Sequence, residues 1–320
     1  MDEFDLIERY FRPLARDFPG AFSLSDDAAL ITPRAGETHV VTTDMLLEGV
    51  HFFGNESADL IAKKALRTNL SDLAAKGAKP VCYFLSIGLP DRVDEIWMKR
   101  FCQGLQEDQS DFHVSLAGGD TTRSRHGLII SISAVGTVPQ NGMLRRSGAA
   151  EGECLCVSGT LGDAALGLAI LKGEFSDIPE NLKSYAISRY HLPQPRCELG
   201  MRLRNTATSS MDISDGIFQD AGHLLNASDV GAVIELEKIP SSPAMQWVKW
   251  KNPMRWLELI SSGDDYELLF TVASRVPEDA TIIGTITQNK KLEVHDAEGK
   301  AVMPLVSGYR HGRPGRDVGP

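Results

Sequence analysis

One segment of the chain interrupts the regular recurrence of apolar residues and divides the sequence into two halves. Residues 139–152 begin with a proline, are rich in Gly, Arg and Ser, and show no apolar period. Such a composition is typical of a connection rather than of a packed helix or strand. A chain of 320 residues is long enough for two domains of ordinary size. We therefore predict an N-terminal domain over residues 1–140, a C-terminal domain over residues 148–306 and a tail over residues 307–320.

Helical and strand patterns occur in both halves, but not in strict strand–helix–strand order. In the first half they predict helices at 4–11, 57–76 and 93–109 and strands at 38–43, 81–88, 113–117 and 128–138. In the second half they predict helices at 163–172, 181–190, 196–204 and 216–227 and strands at 154–158, 210–213, 231–236, 268–273, 281–286 and 292–295. This mixture favours two α+β domains over a doubly wound parallel sheet.

Charge and composition disfavour several classes of protein. The 33 basic and 43 acidic residues give a formal charge of −10, and nucleic-acid binding usually needs a basic face instead. The sequence lacks the run of about 18 apolar residues that a membrane span needs, and its acidic start is unlike that of a secretory signal. Five cysteines, an odd number scattered along the chain, favour free thiols in the reducing cytoplasm.

Aspartates recur at predicted turns and at the ends of predicted strands. They fall in six short segments: Asp26-Asp27, Thr42-Thr43-Asp44, Asn69 to Asp72, Gly118 to Thr122, Asp212 to Gly216 and Gly263 to Glu267. Each segment alone has an ordinary explanation, since Asp is common beside Gly in turns and Ser214 or Asp215 suits a helix N-cap. Together they offer carboxylate and hydroxyl oxygens, which Mg²⁺ prefers. Carboxylates gathered in one cleft repel one another, so we expect bound cations there.

A Mg²⁺ site points to a phosphate-rich substrate, although the common phosphate-binding loops are absent. The sequence has no G-x-x-x-x-G-K-[ST], no G-x-G-x-x-G and no protein-kinase signature. Phosphoryl transfer needs in-line positioning and charge neutralisation more than covalent help, so an aspartate-rich site can support it. Arg145 and Arg146 are either phosphate contacts or a solvated pair in the connecting loop. His51 is either a substrate contact or a polar turn residue.

Eight motifs spread along nearly the whole chain carry a family resemblance. They are Glu3-Phe4-x-Leu6-Ile7-x-Arg9-Tyr10-Phe11, Asp26-Asp27-Ala28-Ala29, Thr43-Asp44 with His51-Phe52, Asn69 to Ala78, Gly118 to Thr122, Arg146 to Ala149, Asp212 to Gly216 and Asp265-Tyr266-Glu267-Leu268. In this order they resemble the thiamine-monophosphate kinase family, from Glu3 to about Tyr309. The wider superfamily includes aminoimidazole-ribonucleotide synthetase, selenophosphate synthetase and a hydrogenase-maturation protein.

The resemblance implies a fold, an assembly and a reaction. It implies an N-terminal mixed-sheet domain of the aminoimidazole-ribonucleotide synthetase type, a C-terminal α/β sandwich domain and a homodimer formed by the N-terminal sheets. It also implies ATP-dependent phosphorylation of thiamine monophosphate to thiamine diphosphate, by direct transfer with several Mg²⁺ ions. The acceptor is an ionised phosphate oxygen, so no general base is needed. The thiazolium ring is a cation and suits acidic and aromatic contacts.

Motif by motif, the resemblance implies roles for residues of this chain. The implied Mg²⁺ ligands are Asp27, Thr42, Thr43, Asp44, Asp72, Asp120, Asp212 and Asp215, of which Asp44, Asp120 and Asp215 are the expected catalytic residues. The implied ATP contacts are Gly119, Asp120, Arg146 and Ser214, and the implied thiamine monophosphate contacts are His51, Asp264 and Tyr309. Three positions depart from the family pattern: Ser25 stands where Gly is usual, Thr42 where Ser is common and Asp264 where Glu or Gly is usual.

Two alternatives stay open at this point. One is a sister enzyme such as aminoimidazole-ribonucleotide synthetase, which shares the motifs. Selenophosphate synthetase fits less well, because it needs a reactive cysteine near the start and the first cysteine here is Cys82. The other alternative is a non-catalytic module in which the aspartates hold a cation and ATP does not bind.

Overall fold

Residues 3–302 are described by a computed structural model of the chain, and they fall into two units. The N-terminal unit contains residues 3–73 and 78–143, and the C-terminal unit contains residues 74–77 and 144–302. Each unit has its own sheet and its own helices, and the expected α+β class is confirmed. No helix within residues 3–302 has the length and apolar character needed to cross a membrane.

The N-terminal unit is built on a four-stranded sheet with the order β1-β4-β2-β3. Its strands are β1 (Glu37–Leu47), β2 (Lys79–Leu89), β3 (Ser115–Arg123) and β4 (Ile129–Pro139), and its helices are α1 (Glu3–Leu6), α2 (Ala58–Ala75) and α3 (Glu95–Phe112). β4 pairs antiparallel with β1 and β2, whereas β2 and β3 are parallel. A parallel pair needs a long crossover, which contains α3. β1 and β3 are therefore the edge strands.

The two faces of this sheet differ in what covers them. Side chains alternate between the faces of a strand, and on one face Ile132 and Tyr83 are buried. Helix α3 lies on that face, since the Gln109 side chain donates a hydrogen bond to the Tyr83 hydroxyl at 3.0 Å. On the other face, Val41 is 65% exposed and Met45 is 56% exposed. We call this second face, where Val41 and Met45 project, the open face.

The opening helix departs from the regular helix expected at residues 4–11. The chain is α-helical over Glu3–Leu6 and continues as a π-helical turn over Ile7–Phe11. A 3₁₀ turn follows at Arg12–Ala15 and contains Pro13. Because proline has no N–H to donate to the carbonyl four residues earlier, α-helical hydrogen bonding cannot continue through it. The helix expected at 4–11 is present, with π-helical hydrogen bonding after its first turn.

The C-terminal unit contains a six-stranded sheet with the order β10-β7-β9-β5-β8-β6. Its strands are β5 (Cys154–Ser158), β6 (Ala207–Asp212), β7 (Gly231–Glu235), β8 (Leu268–Val272), β9 (Ala280–Thr287) and β10 (Leu292–His295). Among these strands β10 and β7 pair in parallel, and the other neighbours pair antiparallel. Antiparallel neighbours dominate, which excludes a doubly wound parallel sheet.

Six helices accompany this sheet: α4 (Asp163–Leu171), α5 (Glu180–His191), α6 (Cys197–Leu203), α7 (Ile217–Ser228), α8 (Pro243–Lys251) and α9 (Pro253–Ile260). Leu155 of β5, Leu166 of α4, Leu224 of α7 and Ile260 of α9 share one buried apolar cluster. The last two helices are additions to the sequence prediction. Each begins with a proline after a capping side chain, which is a recognisable helix start.

Candidate active site

The middle of β1 and one face of α2 bring three of the expected Mg²⁺ ligands together. Thr42 and Asp44 are two residues apart on β1, so their side chains share a face of the sheet. The Thr42 hydroxyl donates a hydrogen bond to the Asp72 carboxylate on α2. Burial, together with the charge of Asp72, raises the pKa of Asp44 to about 6. We call Thr42, Asp44 and Asp72 the strand cluster.

Thr68 joins the strand cluster, although the sequence analysis did not single it out. It lies four residues before Asp72 on α2, so the two side chains share a helix face. A hydrogen bond from Thr68 to Asp44 offsets part of the rise in the carboxyl pKa. The sequence signal that could have identified Thr68 is its hydroxyl group, four residues before the motif residue Asp72 and therefore on the same helix face.

Thr43 lies on the opposite side of β1 from the strand cluster. Its side chain is exposed, its hydroxyl donates to the Ile132 carbonyl at 3.2 Å, and the Ser133 hydroxyl donates to it at 3.0 Å. Strand alternation explains this, because neighbouring residues point to opposite faces. The structure thus brings the Thr42 side chain to Asp72 and does not bring the Thr43 side chain there.

Gly119 and Asp120 lie on β3, at the opposite edge of the sheet from Asp44. A Cβ at Gly119 would lie 1.8 Å from the Leu85 carbonyl oxygen, so the strands approach too closely for a side chain. The pairing register aligns Gly119 with Asp44 across the sheet and aligns Asp120 with Met45. Aligned residues point to the same face of the sheet. Asp120 is therefore on the open face. One copy of the N-terminal unit does not bring Asp120 to Asp44, contrary to the expectation of a single cleft.

Asp27 lies on an exposed turn that contains a hydrogen bond between two of its own residues. The Asp27 N–H donates to the Asp26 carboxylate at 2.8 Å. The preceding residues 22–24 have positive φ angles between 49° and 56°. Ser25 has a φ of −108°, which any residue adopts. Serine in place of the family's usual glycine therefore costs this turn nothing in backbone strain.

His51 lies in the loop after β1, and its ring is oriented by the backbone. The Leu47 N–H donates a hydrogen bond to His51 Nδ1 at 3.0 Å. Since Nδ1 accepts, the proton of the neutral ring is on Nε2. The half-buried His51 can then donate a hydrogen bond from Nε2, as a phosphate contact requires.

In the C-terminal unit, Asp212 ends β6, and Ser214 and Asp215 lie on the turn between β6 and α7. We call these three residues the turn cluster. Gly216 ends this turn with a φ of 118°, and a Cβ there would lie 2.2 Å from the Ser261 carbonyl oxygen. That position favours glycine for both reasons. The motif glycine thus has a structural explanation that is separate from any ligand.

A buried aspartate supports the turn cluster from within α7. Asp220 is 1% exposed, and one of its carboxylate oxygens accepts the backbone N–H of Asp215 and of Gly216, both at 3.0 Å. Asp220 therefore does the capping, and the alternative that Ser214 or Asp215 caps α7 by its side chain is wrong. Burial, followed by the charge of Asp215, raises the pKa of Asp220 to about 7.

His223 also approaches this aspartate pair. Ligand atoms of Asp215, Asp220 and His223 all lie within 4.8 Å of one another. Asp220 and His223 were missed at the sequence level, where an aspartate and a histidine three apart on a helix are unremarkable. Their position beside Asp215 appears only when the turn is folded onto the helix.

The turn cluster is paired with the segment Gly263–Glu267 by backbone hydrogen bonds. The Ile213 N–H donates to the Glu267 carbonyl and the Tyr266 N–H to the Ile213 carbonyl, both at 2.8 Å, and the Asp264 N–H donates to the Ser214 carbonyl at 2.9 Å. The expected ATP contact and the expected thiamine monophosphate contact are therefore neighbours in this unit.

Arg146 lies on a connecting segment whose backbone is fixed to the C-terminal unit. The Ser210 N–H donates to the Arg145 carbonyl at 2.7 Å, and the Ser228 hydroxyl donates to the Arg146 carbonyl at 3.1 Å. The Arg146 side chain is exposed. A held backbone with an exposed guanidinium suits a phosphate contact. The remaining expected contact, Tyr309, lies outside the described residues.

Comparison with known proteins identifies the family. The model for AIR synthase related protein, N-terminal domain, matches residues 25–138, and that for its C-terminal domain matches residues 150–297. A thiamine-monophosphate kinase of Caulobacter vibrioides is 39% identical, with 97% of this chain and 91% of that protein covered. The chain belongs to the thiamine-monophosphate kinase family. The resemblance carried by the eight motifs is thereby confirmed, and with it the expectation of an enzyme.

Further family members agree in sequence and in fold. A thiamine-monophosphate kinase of Escherichia coli K12 is 41% identical, with 84% of this chain and 82% of that protein covered. The crystal structure of a thiamine-monophosphate kinase from Stenotrophomonas maltophilia has a TM-score of 0.83 at 35% identity, covering 94% of this chain and 98% of that one. The structure of AaThiL complexed with AMPPCP and TMP has a TM-score of 0.79 at 31% identity and covers 97% of both chains.

Proposed function

We propose that this chain transfers the γ-phosphoryl group of ATP to thiamine monophosphate, giving thiamine diphosphate and ADP. The observation that carries the proposal is the grouping of Thr42, Asp44 and Asp72 into one cluster of oxygen ligands. It is supported by the family, in which a solved member is complexed with AMPPCP and TMP. The turn cluster offers a second set of oxygen ligands.

The reaction needs positioning and charge neutralisation rather than a base. A phosphate oxygen of thiamine monophosphate forms a bond to the γ-phosphorus while the bond to the β–γ bridging oxygen breaks, and ADP leaves. The attacking oxygen is already ionised, so no side chain has to remove a proton. The protein's task is to hold two anions in line and to offset their repulsion.

The oxygen donors of both clusters fit Mg²⁺. In the strand cluster, burial and the charge of Asp72 raise the pKa of Asp44 to about 6, so the side chains alone disfavour two negative charges there. Carboxylate and hydroxyl oxygens are the preferred ligands of Mg²⁺. Thr42, Asp44 and Asp72 would hold it in the N-terminal unit, and Asp212 and Asp215 in the C-terminal unit. When bound, Mg²⁺ neutralises charge on the phosphates.

The remaining expected residues divide between the two substrates. For ATP, the exposed Arg146 guanidinium contacts a phosphate, and Ser214, Gly119 and Asp120 keep their expected roles. For thiamine monophosphate, His51 donates from Nε2 to the phosphate, because Nδ1 is occupied by the Leu47 N–H. Asp264 faces the cationic ring, and Asp27 and Tyr309 keep the roles that the family implies.

We further propose a homodimer formed by the N-terminal sheets. The support is the open face, where Val41 and Met45 are more than half exposed, since exposed apolar faces of this kind mark association sites. Asp120 shares this face, so a second copy docked there would bring its side chains to Asp120. A cytoplasmic location is proposed because all five cysteines are free thiols.

The dimer has a direct test in solution. Met45→Glu places a charge on the open face, and we expect a lower mass by light scattering, whereas the exposed Ile96→Glu on α3 leaves the mass unchanged. A dimer with unaltered mass in Met45→Glu would contradict the use of this face.

One assay tests the reaction itself. The purified protein with Mg-ATP is offered thiamine monophosphate, free thiamine or formylglycinamidine ribonucleotide, and the products are separated by chromatography. We expect thiamine diphosphate from thiamine monophosphate, and none after chelation of Mg²⁺. Turnover of the ribonucleotide alone would identify the sister enzyme. Cation binding without any ATP turnover would identify a non-catalytic module.

A further inference from the structure

The segment Gly263–Glu267 alternates between buried and accessible side chains. Asp265 is 1% exposed and Glu267 is 0% exposed, whereas Asp264 and Tyr266 are half-buried. Asp264 and Tyr266 also have positive φ angles of 71° and 52°. Left-handed backbone at non-glycine residues is costly and persists only where the surroundings enforce it. Two such residues on one segment call for an explanation.

The buried residues of the segment hold this left-handed backbone conformation in place. Both carboxylate oxygens of Asp265 accept the Gly162 N–H, at 3.0 and 2.8 Å. Glu267 forms ion pairs with Arg189 at 2.9 Å and with Arg196 at 2.6 Å. These contacts fix the backbone on both sides of Tyr266. The strained conformation is therefore held by side chains that point away from the accessible side.

The accessible residues are joined to each other. The Tyr266 hydroxyl donates a hydrogen bond to the Asp264 carboxylate at 3.1 Å. A donor on a carboxylate leaves its negative charge in place but restricts its rotation. The backbone hydrogen bond between Asp264 and Ser214 places this pair beside the turn cluster. A fixed carboxylate thus lies next to the expected ATP contact.

We propose that Tyr266 is a positioning residue that holds the Asp264 carboxylate toward the cationic ring of the substrate, so that the pair selects a positively charged aromatic phosphate. This inference rests on the proposed function, which makes thiamine monophosphate the substrate. Holding the carboxylate before binding removes an entropic cost that the ligand would otherwise meet. The Tyr266 hydroxyl acts through Asp264, and its effect therefore depends on the ring charge of the ligand.

The test compares Tyr266→Phe with a matched control in the same unit. Tyr185 also donates from its hydroxyl to a carboxylate, that of Asp163, at 3.3 Å, so Tyr185→Phe removes the same kind of bond without changing Asp264 or Tyr266. Binding is measured by calorimetry without ATP, for thiamine monophosphate and for its analogue with a neutral thiophene ring. We expect Tyr266→Phe to weaken binding of the cation about tenfold, or ~1.4 kcal/mol, and to leave the neutral analogue and the Tyr185→Phe control unchanged.

Asp264→Asn completes the comparison. It should also lower the preference for the cation, and the double variant with Tyr266→Phe should bind the cation no more weakly than Asp264→Asn alone, because both act through one carboxylate. Equal losses for the cation and the neutral analogue in Tyr266→Phe would overturn the proposal. If the wild-type protein neither binds nor phosphorylates thiamine monophosphate, the proposed function fails instead, and the two failures are distinguishable.

Discussion

The strand cluster and the turn cluster present similar oxygen ligands but are held in place differently. Thr42 and Asp44 are aligned by strand periodicity and Asp72 by helix periodicity, so regular elements alone set their directions. In the turn cluster only Asp212 lies in a regular element, at the end of β6; Asp215 stands on the turn that follows, whose shape depends on side chains buried beneath it. The strand cluster should therefore keep its geometry when nearby residues are substituted. The turn cluster should lose its geometry when a buried residue that supports the turn is changed, even though that residue binds no ligand.

The largest expected effect breaks the support beneath the turn cluster. Glu267→Ala leaves Arg189 and Arg196 without their buried carboxylate, and we expect the free energy of unfolding to fall by about 3–5 kcal/mol. Denaturant unfolding measures it. The exposed pair of Glu237 with Lys249 is the control, and Glu237→Ala should cost at most about 1 kcal/mol. Equal losses in the two variants would show that the buried pair contributes no special support.

The next effect tests the strand cluster, where function and stability should separate. Asp44→Asn removes a carboxylate from the proposed Mg²⁺ site, and we expect kcat to fall at least about 100-fold. The midpoint of thermal unfolding should not fall, because the amide retains the shape and relieves the repulsion by Asp72. Asp91→Asn on an exposed turn is the matched control. Near-wild-type turnover in Asp44→Asn would remove this residue from the site.

A smaller effect is expected at Asp220, whose hydrogen bonds to the turn cluster and Gly216 come from backbone N–H groups. Asp220→Ala loses both hydrogen bonds to Asp215 and Gly216, and we expect the Mg²⁺ concentration for half-maximal rate to rise about tenfold. Asp220→Asn should recover most of this loss, because a single oxygen accepts both N–H groups.

Hydrogen exchange of the metal-free protein gives an independent measurement of the same support. The amides of Asp215 and Gly216 should exchange faster in Asp220→Ala than in Asp220→Asn. If both variants protect these amides as the wild type does, Asp220 does not hold the turn.

The smallest effect is a change in the pH dependence of stability. Burial raises the pKa of Asp265 well above its usual range, so the folded state keeps a proton that the unfolded state has lost. This contribution is full below the unfolded carboxyl pKa of about 3.9 and is lost as pH rises through the folded value. Asp265→Asn does not titrate, and its unfolding free energy should fall less with rising pH. Parallel curves for the two proteins would contradict the assignment.

Much of the fold followed from local patterns. The strands predicted at 154–158 and 292–295 have those bounds in the structure, because each is a short apolar or alternating run between turn residues. Helices α8 and α9 were missed because they are only 9 and 8 residues long, and so short a window gives apolar periodicity little weight. Their starts, Ser242-Pro243 and Asn252-Pro253, were nevertheless readable as capping signals.

The candidate site was predictable only where local periodicity sets it. Spacing alone places Thr42 beside Asp44, but it cannot place Asp120, because β4 inserts between strands that precede it in the chain. The supporting role of Asp220 was equally hidden. In the sequence it is one helical aspartate among many, and its function depends on the turn that folds back over it.

The alternation along Gly263–Glu267 has a consequence for how this family changes over evolution. Positions 265 and 267 are buried and hold the segment, whereas positions 264 and 266 are accessible and, under the proposal above, face the ligand. A substitution at position 264 that tolerates the positive φ there therefore changes the accessible side of the segment and leaves its buried contacts in place. The appearance of aspartate at position 264, where Glu or Gly is usual, is the kind of variation that such a division of labour permits. New substrate preferences in this fold can arise by one or two steps at these positions.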